Sequence, residues 1–506
     1  MMLRHGFVLS VGLVAGSACI ATDASNEPLS SVAVSQPLTF ADRVAACAQD
    51  PRVVVGVASN DTCVGADLFF RETFNGNGRT CATCHRVDHN LTIDPAFIAT
   101  LPATDPLFVA ETNLNLAGLE KPAVMHQFGL ILENVDGFDP DPRTHFVLRS
   151  VPHTISLATS VARALNDPIT VPADRTGWGG DGAPGTGTLG EFLNGAITQH
   201  YPLTLNRVVG QDFRLATSDE LRTTEVFMRG TGRTNELNLT NVTMSDAGAQ
   251  AGRTLFLGVG CNGCHGNAGA NAGGGNRNFN TGVETARNAN LAGFPIDGGF
   301  LTTPANPDGS FGNRTFNVPP LIEASDTGPF FHTAVTISGA SAHNTAVASV
   351  IEEAIAFYDS PAFNNSPAGQ AIPINLTAAD IDNIGRFLRG INATLNAAIA
   401  VKRIDAELAI VASFHNTALA IQREELRLAG VELNDALRDL SGVANLNAAA
   451  QSAFTAALNN LALAQAATVE SDRVNETTTA RQQVVQGATS IGTNLAFQIG
   501  DGVVMF

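Results

Sequence analysis

Apolar residues recur at helical spacing in some stretches of the chain and lose all periodicity in others. The periodic stretches predict helices. One runs from Gly65 to Thr73 and another from Ala247 to Leu257, each followed by a polar turn, so the pattern reads as two copies of one small helical module. Further helices are predicted over Thr188 to His200, Ala346 to Tyr358 and Thr377 to Ile391. From about Asn392 onward the composition shifts to Ala, Leu, Asn and Gln, and Ile404, Leu408, Val411, Phe414, Ala418, Ile421 and Leu428 form a helix stripe. A break at Ser441-Gly442 and a second pattern through Phe454, Leu458 and Leu461 predict an antiparallel helical hairpin, read as a packing or partner-binding extension. The stretches between, including Gly177 to Gly187 and Gly266 to Gly312, are rich in Gly, Asn and Pro and predict long loops that build a pocket or interface. The fold class expected is mostly α.

With 506 residues the chain has room for two or three domains. Arg4 and His5, the apolar run Phe7 to Ala18 and the small residues around Ala18 to Ala21 have the layout of a secretory signal over 1–21. An exported, periplasmic location is expected. Cys19 offers a second reading as an acylated first residue, although Gly16 stands where a lipobox usually carries Leu. Residues 22–38 read as a flexible tether. No other apolar stretch approaches the roughly 20 residues of a membrane span. A formal net charge of −18, with Lys121 and Lys402 the only lysines, removes the basic surface that nucleic acid or anionic lipid requires and suits a small cationic redox partner.

Four of the seven cysteines sit in two pentapeptides, Cys81-Ala-Thr-Cys84-His85 and Cys261-Asn-Gly-Cys264-His265. Both read CxxCH. Two thiols at this spacing add to the vinyl groups of one haem and the adjoining imidazole becomes the proximal iron ligand. Chance supplies roughly 0.002 such motifs in a chain of this composition. A redox CxxC pair or a zinc site leaves the His that follows both pairs unexplained. Two covalently bound haem c groups are therefore expected, with iron ligands His85 and His265. Cys47 and Cys63 remain as a pair, for which an oxidising location favours a disulfide. The domains follow: an N-terminal haem domain with a long insertion over 39–245, a C-terminal haem domain over 246–395 and the helical extension over 396–506.

The sixth iron ligand decides between electron transfer, gas binding and peroxide activation. No methionine lies between Cys261 and Ile391. Gly328-Pro-Phe-Phe-His332, followed after an insertion by Ile351-Glu-Glu-Ala-Ile-Ala-Phe-Tyr358, resembles the second-haem half of the bacterial dihaem cytochrome c peroxidase and MauG superfamily. Peroxidase members carry a Met ligand at the end of this helix and MauG-type members a Tyr, so the resemblance implies Tyr358 as the second iron's other ligand, with His332 in a supporting place. Arg149-Ser-Val-Pro152, Trp178-Gly-Gly-Asp-Gly182 and Leu189-Gly-Glu191 are similar to the segment that covers the family's peroxide-reactive first haem. That likeness implies Glu191 as the catalytic acid–base group. For the first haem's sixth position the chain offers His89, His126, His145, His153, His200 and Met125. The likeness spans about residues 60 to 391. Two departures stand out: the insertion Ala334 to Asn344, and the lack of a tryptophan where the family often places one between its haems, Trp178 being the only one. Some family members also hold a calcium ion between the domains; no ligands for one are named here.

The function implied is a dihaem oxidoreductase in which the first haem reacts with hydrogen peroxide or oxygen while the second relays electrons. The alternative is a non-enzymatic dihaem electron carrier with both irons six-coordinate.

Overall fold

The chain is mostly helical, and the computed structural model describes residues 38–134, 146–165, 174–176, 188–271, 274–285, 291–299, 310–334 and 350–506. The signal segment 1–21 with Cys19, the tether 22–38 apart from Leu38, His145, Trp178, the loop 177–187 and the insertion 334–344 apart from Ala334 lie outside these residues. The helices used below are Phe40–Cys47 (α1), Asn60–Arg71 (α2), Leu189–His200 (α3), Ser218–Gly230 (α4), Ala247–Gly258 (α5), Ile351–Phe357 (α6), Ala378–Phe414 (α7), Leu419–Ser441 (α8), Ala448–Ala466 (α9) and Glu470–Ile491 (α10).

Each cysteine motif follows a helix that lies against a second helix at a glycine. A Cβ on Gly65 of α2 would stand 2.0 Å from the Thr223 carbonyl oxygen of α4, and one on Gly252 of α5 would stand 1.8 Å from that of Asn383 on α7. Only glycine allows backbones this close. The repeated layout read from the sequence thus corresponds to two helix pairs, α2 with α4 and α5 with α7. The disulfide Cys47–Cys63 is present and ties α1 to α2.

Three small sheets decorate the helices. Leu130–Asn134 (β1) pairs antiparallel with Phe146–Ser150 (β2), and Thr243–Met244 (β3) with Gly492–Thr493 (β7). Asn278–Phe279 (β4), Ser310–Asn317 (β6) and Ile296–Gly299 (β5) form a mixed sheet in the order β4-β6-β5. Strands β1 to β6 lie where the sequence reading placed no helix, and β7 lies within the region it read as a helical extension.

The C-terminal region departs from the expected hairpin. Its boundary at 395/396 falls inside α7, a single helix of 37 residues, and the tail of α7 packs with α8, α9 and α10 as a four-helix bundle. The stripe from Ile404 to Leu428 covers two helices, because the chain turns at His415–Ala418 without a Gly or Pro and His415 takes a φ of 48°. Helix α10 escaped notice because its buried face is Arg473, Thr477, Ala480, Val484, Gly487 and Ile491, half of it polar or featureless. The bundle interior carries a charged seam: Arg403, Glu407, Glu425 and Arg473 are all fully buried. Arg403 faces Glu425 at 3.6 Å and Arg473 faces Glu407 at 3.5 Å. Burial pushes both carboxyls up to about 7, against the pull of Arg473 on Glu407 and of Arg403 and Arg52 on Glu425.

From Phe40 to Phe506 the chain packs as one unit. The segment after α10 returns to the first module. Asp501 accepts hydrogen bonds from the Ser59 amide and the Thr62 hydroxyl, both at 2.9 Å, at the start of α2. The Phe506 ring packs on Phe70 and Phe227, with the Arg403 guanidinium 4.8 Å from its centre.

Helix α6 is fixed to α7 by a buried bidentate pair, Arg389 to Glu352 at 2.7 and 2.8 Å. Removing one partner of such a pair leaves a buried charge, whereas removing both does not. Arg389→Met is therefore expected to lower the unfolding free energy by about 3 kcal/mol. Adding Glu352→Leu should recover most of it, as measured by denaturant unfolding.

Candidate cofactor cavity

Both cysteine motifs fold as a single tight turn. Over Cys81–Thr83 the turn is closed by the Thr83 hydroxyl, which accepts from the Thr80 amide at 2.9 Å. The His85 amide donates to the Cys81 carbonyl at 3.0 Å, and the His265 amide donates to that of Cys261 at 2.9 Å. Gly260, with a φ of 113°, begins the second turn in a conformation that favours glycine.

The imidazoles are oriented alike. His85 Nδ1 lies 2.9 Å from the Leu91 carbonyl and His265 Nδ1 lies 3.1 Å from the Pro319 carbonyl. A carbonyl only accepts, so Nδ1 carries the proton and Nε2 keeps its lone pair. Burial pushes both rings down to about 4, with the carbonyls opposing the shift. Both stay neutral, the form that binds a metal. The four motif thiols are free, and burial pushes Cys81, Cys84 and Cys261 up to about 11 and raises Cys264.

A single cavity of about 330 Å³ is lined by His85 and His265 together with all four motif cysteines. Its wall is mainly apolar, with Phe69, Leu193, Phe256, Phe330 and Leu388 among the lining side chains. The polar groups that reach it include Arg149, His153, His200, Tyr201, His332 and Tyr358. The donor set fits a haem at each motif: two unbridged thiols at thioether spacing, an oriented neutral imidazole beside them and an apolar enclosure.

Of the residues singled out from sequence, Tyr358 is brought to this cavity. It follows α6 directly, its ring meets Phe357 and Phe363 edge-on at 5.4 and 5.0 Å, and burial together with the nearby Cys264 and Cys261 thiols raises its hydroxyl above the ordinary tyrosine range. His332 lies in the wall, stacked on Phe316 at 4.2 Å, close to Asp297, whose carboxylate pairs with Arg149 at 2.6 Å.

Glu191 is not brought there. It stands in the first turn of α3, where its carboxylate accepts from the Thr188 amide at 3.3 Å and the Thr188 hydroxyl accepts from its own amide at 3.2 Å. This reciprocal cap satisfies helix-end donors. The lining face of α3 is Leu189, Phe192, Leu193, Ala196 and His200, and Glu191 falls off it. The same helix instead presents His200, which is pushed down to about 3 by burial and by Arg79, Arg207 and His85.

The sixth-ligand candidates separate in the same way. Met125 is packed in a core with Ile93, Ile98 and Phe108 and is not itself part of the lining, although Cys84 and Val151 border both. His89 pairs with Asp94 at 3.3 Å and His126 with Glu111 at 2.9 Å. Among the described residues His153 and His200 line the cavity. Tyr201, which the sequence gave no reason to connect with the first motif, donates its hydroxyl to Cys81 Sγ at 3.3 Å. Its signal was only its place next to His200. Among the described residues no cluster of three or more His, Cys, Asp or Glu side chains is arranged to hold a metal ion.

Glu191→Ala is expected to cost about 1 kcal/mol of stability through loss of the cap, and to leave the visible absorption spectrum of the cofactor-loaded protein unchanged. Comparison with protein-family models, with curated proteins and with solved structures finds no match for this chain.

Proposed function

We propose that the chain is an exported dihaem c-type oxidoreductase of the dihaem peroxidase and MauG kind, acting on hydrogen peroxide or oxygen at the first motif and exchanging electrons with a small redox protein through the second. The observation that carries the reading is the shared cavity: both CxxCH motifs, 180 residues apart in sequence, open into one apolar enclosure. Cys81 and Cys84 would hold one haem and Cys261 and Cys264 the other. Their thiols would attach the haem vinyl groups, and His85 and His265 would be the histidine ligands of the two irons. Bound there, haem supplies one-electron chemistry and the activation of peroxide.

The chain's own residues supply the rest. The Leu91 and Pro319 carbonyls fix the two imidazoles and raise their basicity as ligands. Tyr358 offers a hard oxygen ligand at the second motif, a type of ligand that favours an oxidising site. Phe69, Leu193 and their neighbours exclude water, which strengthens every electrostatic interaction inside. Among the described residues Met228 is the one methionine of the cavity's lining. Among the described residues no helix is long and apolar enough to cross a membrane.

A second reading, a dihaem electron carrier, draws on His153 and His200, either of which could occupy the first iron's sixth position. Electron paramagnetic resonance of the resting ferric protein separates the two. The enzyme reading expects a high-spin signal that is lost on adding hydrogen peroxide, and a low-spin signal altered by Tyr358→Phe. Two low-spin signals indifferent to peroxide and to the substitution would leave the electron carrier.

A further inference from the structure

The two histidine clamps differ in what holds the clamping carbonyl. Leu91 sits in the loop that leaves the first motif, and its amide donates to the Arg86 carbonyl at 2.8 Å, so that clamp is built from the motif's immediate neighbours. Pro319 comes 54 residues after His265, and contacts on either side set its place. On the C-terminal side the Leu321 and Ile322 amides donate to the Ala268 carbonyl at 2.9 and 3.0 Å, and Arg233 Nε donates to Glu323 at 2.6 Å. On the N-terminal side the hold comes from a side chain, that of Asn276.

Asn276 is 0% exposed and belongs to the lining of the cavity. Its Oδ1 accepts from the Val318 amide at 3.0 Å, while its Nδ2 donates to the Val318 carbonyl and to the Ser160 carbonyl, both at 2.8 Å. The side chain thus pairs with both backbone groups of the residue before Pro319, as a neighbouring strand would. Turning the amide over would set its oxygen against two carbonyls and its nitrogen against an N–H, so the partners themselves fix which atom is which. The Asn276 backbone is equally committed: its amide donates to the Ala162 carbonyl at 2.7 Å and its carbonyl accepts from the Ala164 amide at 2.9 Å. Gly275 permits this approach, since a Cβ there would stand 2.6 Å from the Ala164 nitrogen. Within a stretch that reads in sequence as a Gly- and Asn-rich loop, this asparagine is a buried junction between residues 160–164 and the end of β6.

We propose that Asn276 is a positioning residue of the second motif: by holding Val318 it sets the Pro319 carbonyl on His265 Nδ1 and so tunes the second iron's ligand. The proposal rests on the reading of a haem at His265. A carbonyl held firmly on the Nδ1 proton makes the imidazole a more basic ligand, which favours ferric iron and lowers the reduction potential. The Gly269 backbone also acts on this ring, but Gly269 is held within the motif's own loop, its amide donating to the Gly266 carbonyl at 2.9 Å. Asn276 acts on the Pro319 part of the clamp. His85, clamped by Leu91, lies outside this chain of contacts. The two haems thereby gain a difference that their matching CxxCH motifs do not supply.

The test compares wild type with Asn276→Ala in the full-length, haem-loaded protein by two measurements: the midpoint potentials of the two haems, and solvent exchange of the axial-histidine Nδ1 protons, read from their hyperfine-shifted proton resonances. Asn276→Ala should raise the potential of one haem, leave the other in place, and speed the exchange of one Nδ1 proton about tenfold. The haem that moves should be the one missing from the Cys261→Ala/Cys264→Ala protein. The sign separates positioning from simple loosening, because a packing defect that admits water favours the ferric charge and lowers the potential. Asn276→Gln, which returns the amide on a longer stem, should shift the same haem in the same direction by less, and it decides if the alanine variant does not fold. Unchanged potentials, a fall in place of the rise, or equal shifts at both haems overturn the proposal. A wild type whose His265 Nδ1 proton exchanges as fast as that of a free imidazole overturns it without any variant. Peroxide reactivity measured on the same samples keeps the two readings apart: an unreactive wild type with the expected shift removes the peroxidase reading and leaves the role of Asn276, whereas a protein without haem at the second motif removes both.

Discussion

The clamp on each motif histidine governs how the rest of the chain is arranged. An imidazole whose Nδ1 proton is held by a carbonyl can only offer Nε2, and it does so in a fixed direction. The carbonyls that do this come from very different places: Leu91 lies six residues after His85, in a short loop, while Pro319 lies 54 residues after His265, beyond the β4–β6 excursion. The second motif is therefore complete only when the Gly- and Asn-rich stretch has folded into its sheet. The irregular half of the sequence is in this sense part of the site and not a set of dispensable insertions.

The helical remainder has a corresponding task. Two glycine contacts let α2 lie on α4 and α5 on α7, and the buried Arg389–Glu352 pair holds α6, with Tyr358 at its end, to α7. Helix α7 then runs on without interruption into the C-terminal bundle, and the segment after α10 caps α2 through Asp501. A cavity that draws on both motifs needs a frame in which neither half moves independently. The bundle closes that frame from the second module back onto the first. The charged seam inside it fits a role in alignment: Arg403 and Glu425 cost desolvation wherever they are buried, but they are satisfied best in one register.

What was legible in the sequence follows from which interactions are local. CxxCH is a local motif, and helices with apolar faces announce themselves by period, so the two modules, the start of α3 at its Thr188 cap and the helix end at Ser441 could be read directly. Strands β1 and β2 are largely buried on both faces, and each has three apolar residues followed by two polar ones, too short a run to show alternation. The polar buried face of α10 defeats a hydrophobic pattern for a different reason. Glu191 illustrates a further limit: the sequence places it on a helix, but that its carboxylate caps Thr188 while His200 lies on the face lining the cavity depends on how that helix is rotated in the fold. Arg233 and Glu323 stand 90 residues apart in sequence, and only the fold brings them into their buried pair.

Everything rests on two haems attached within one cavity. The most direct measurement is the intact mass and iron content of the mature, denatured protein, with Cys81→Ala/Cys84→Ala and Cys261→Ala/Cys264→Ala variants alongside. The account expects a mass exceeding the processed polypeptide by two haem groups, two irons per chain, and one fewer of each in either variant. A polypeptide without covalent haem, or one whose adducts are unchanged by loss of either cysteine pair, would contradict it.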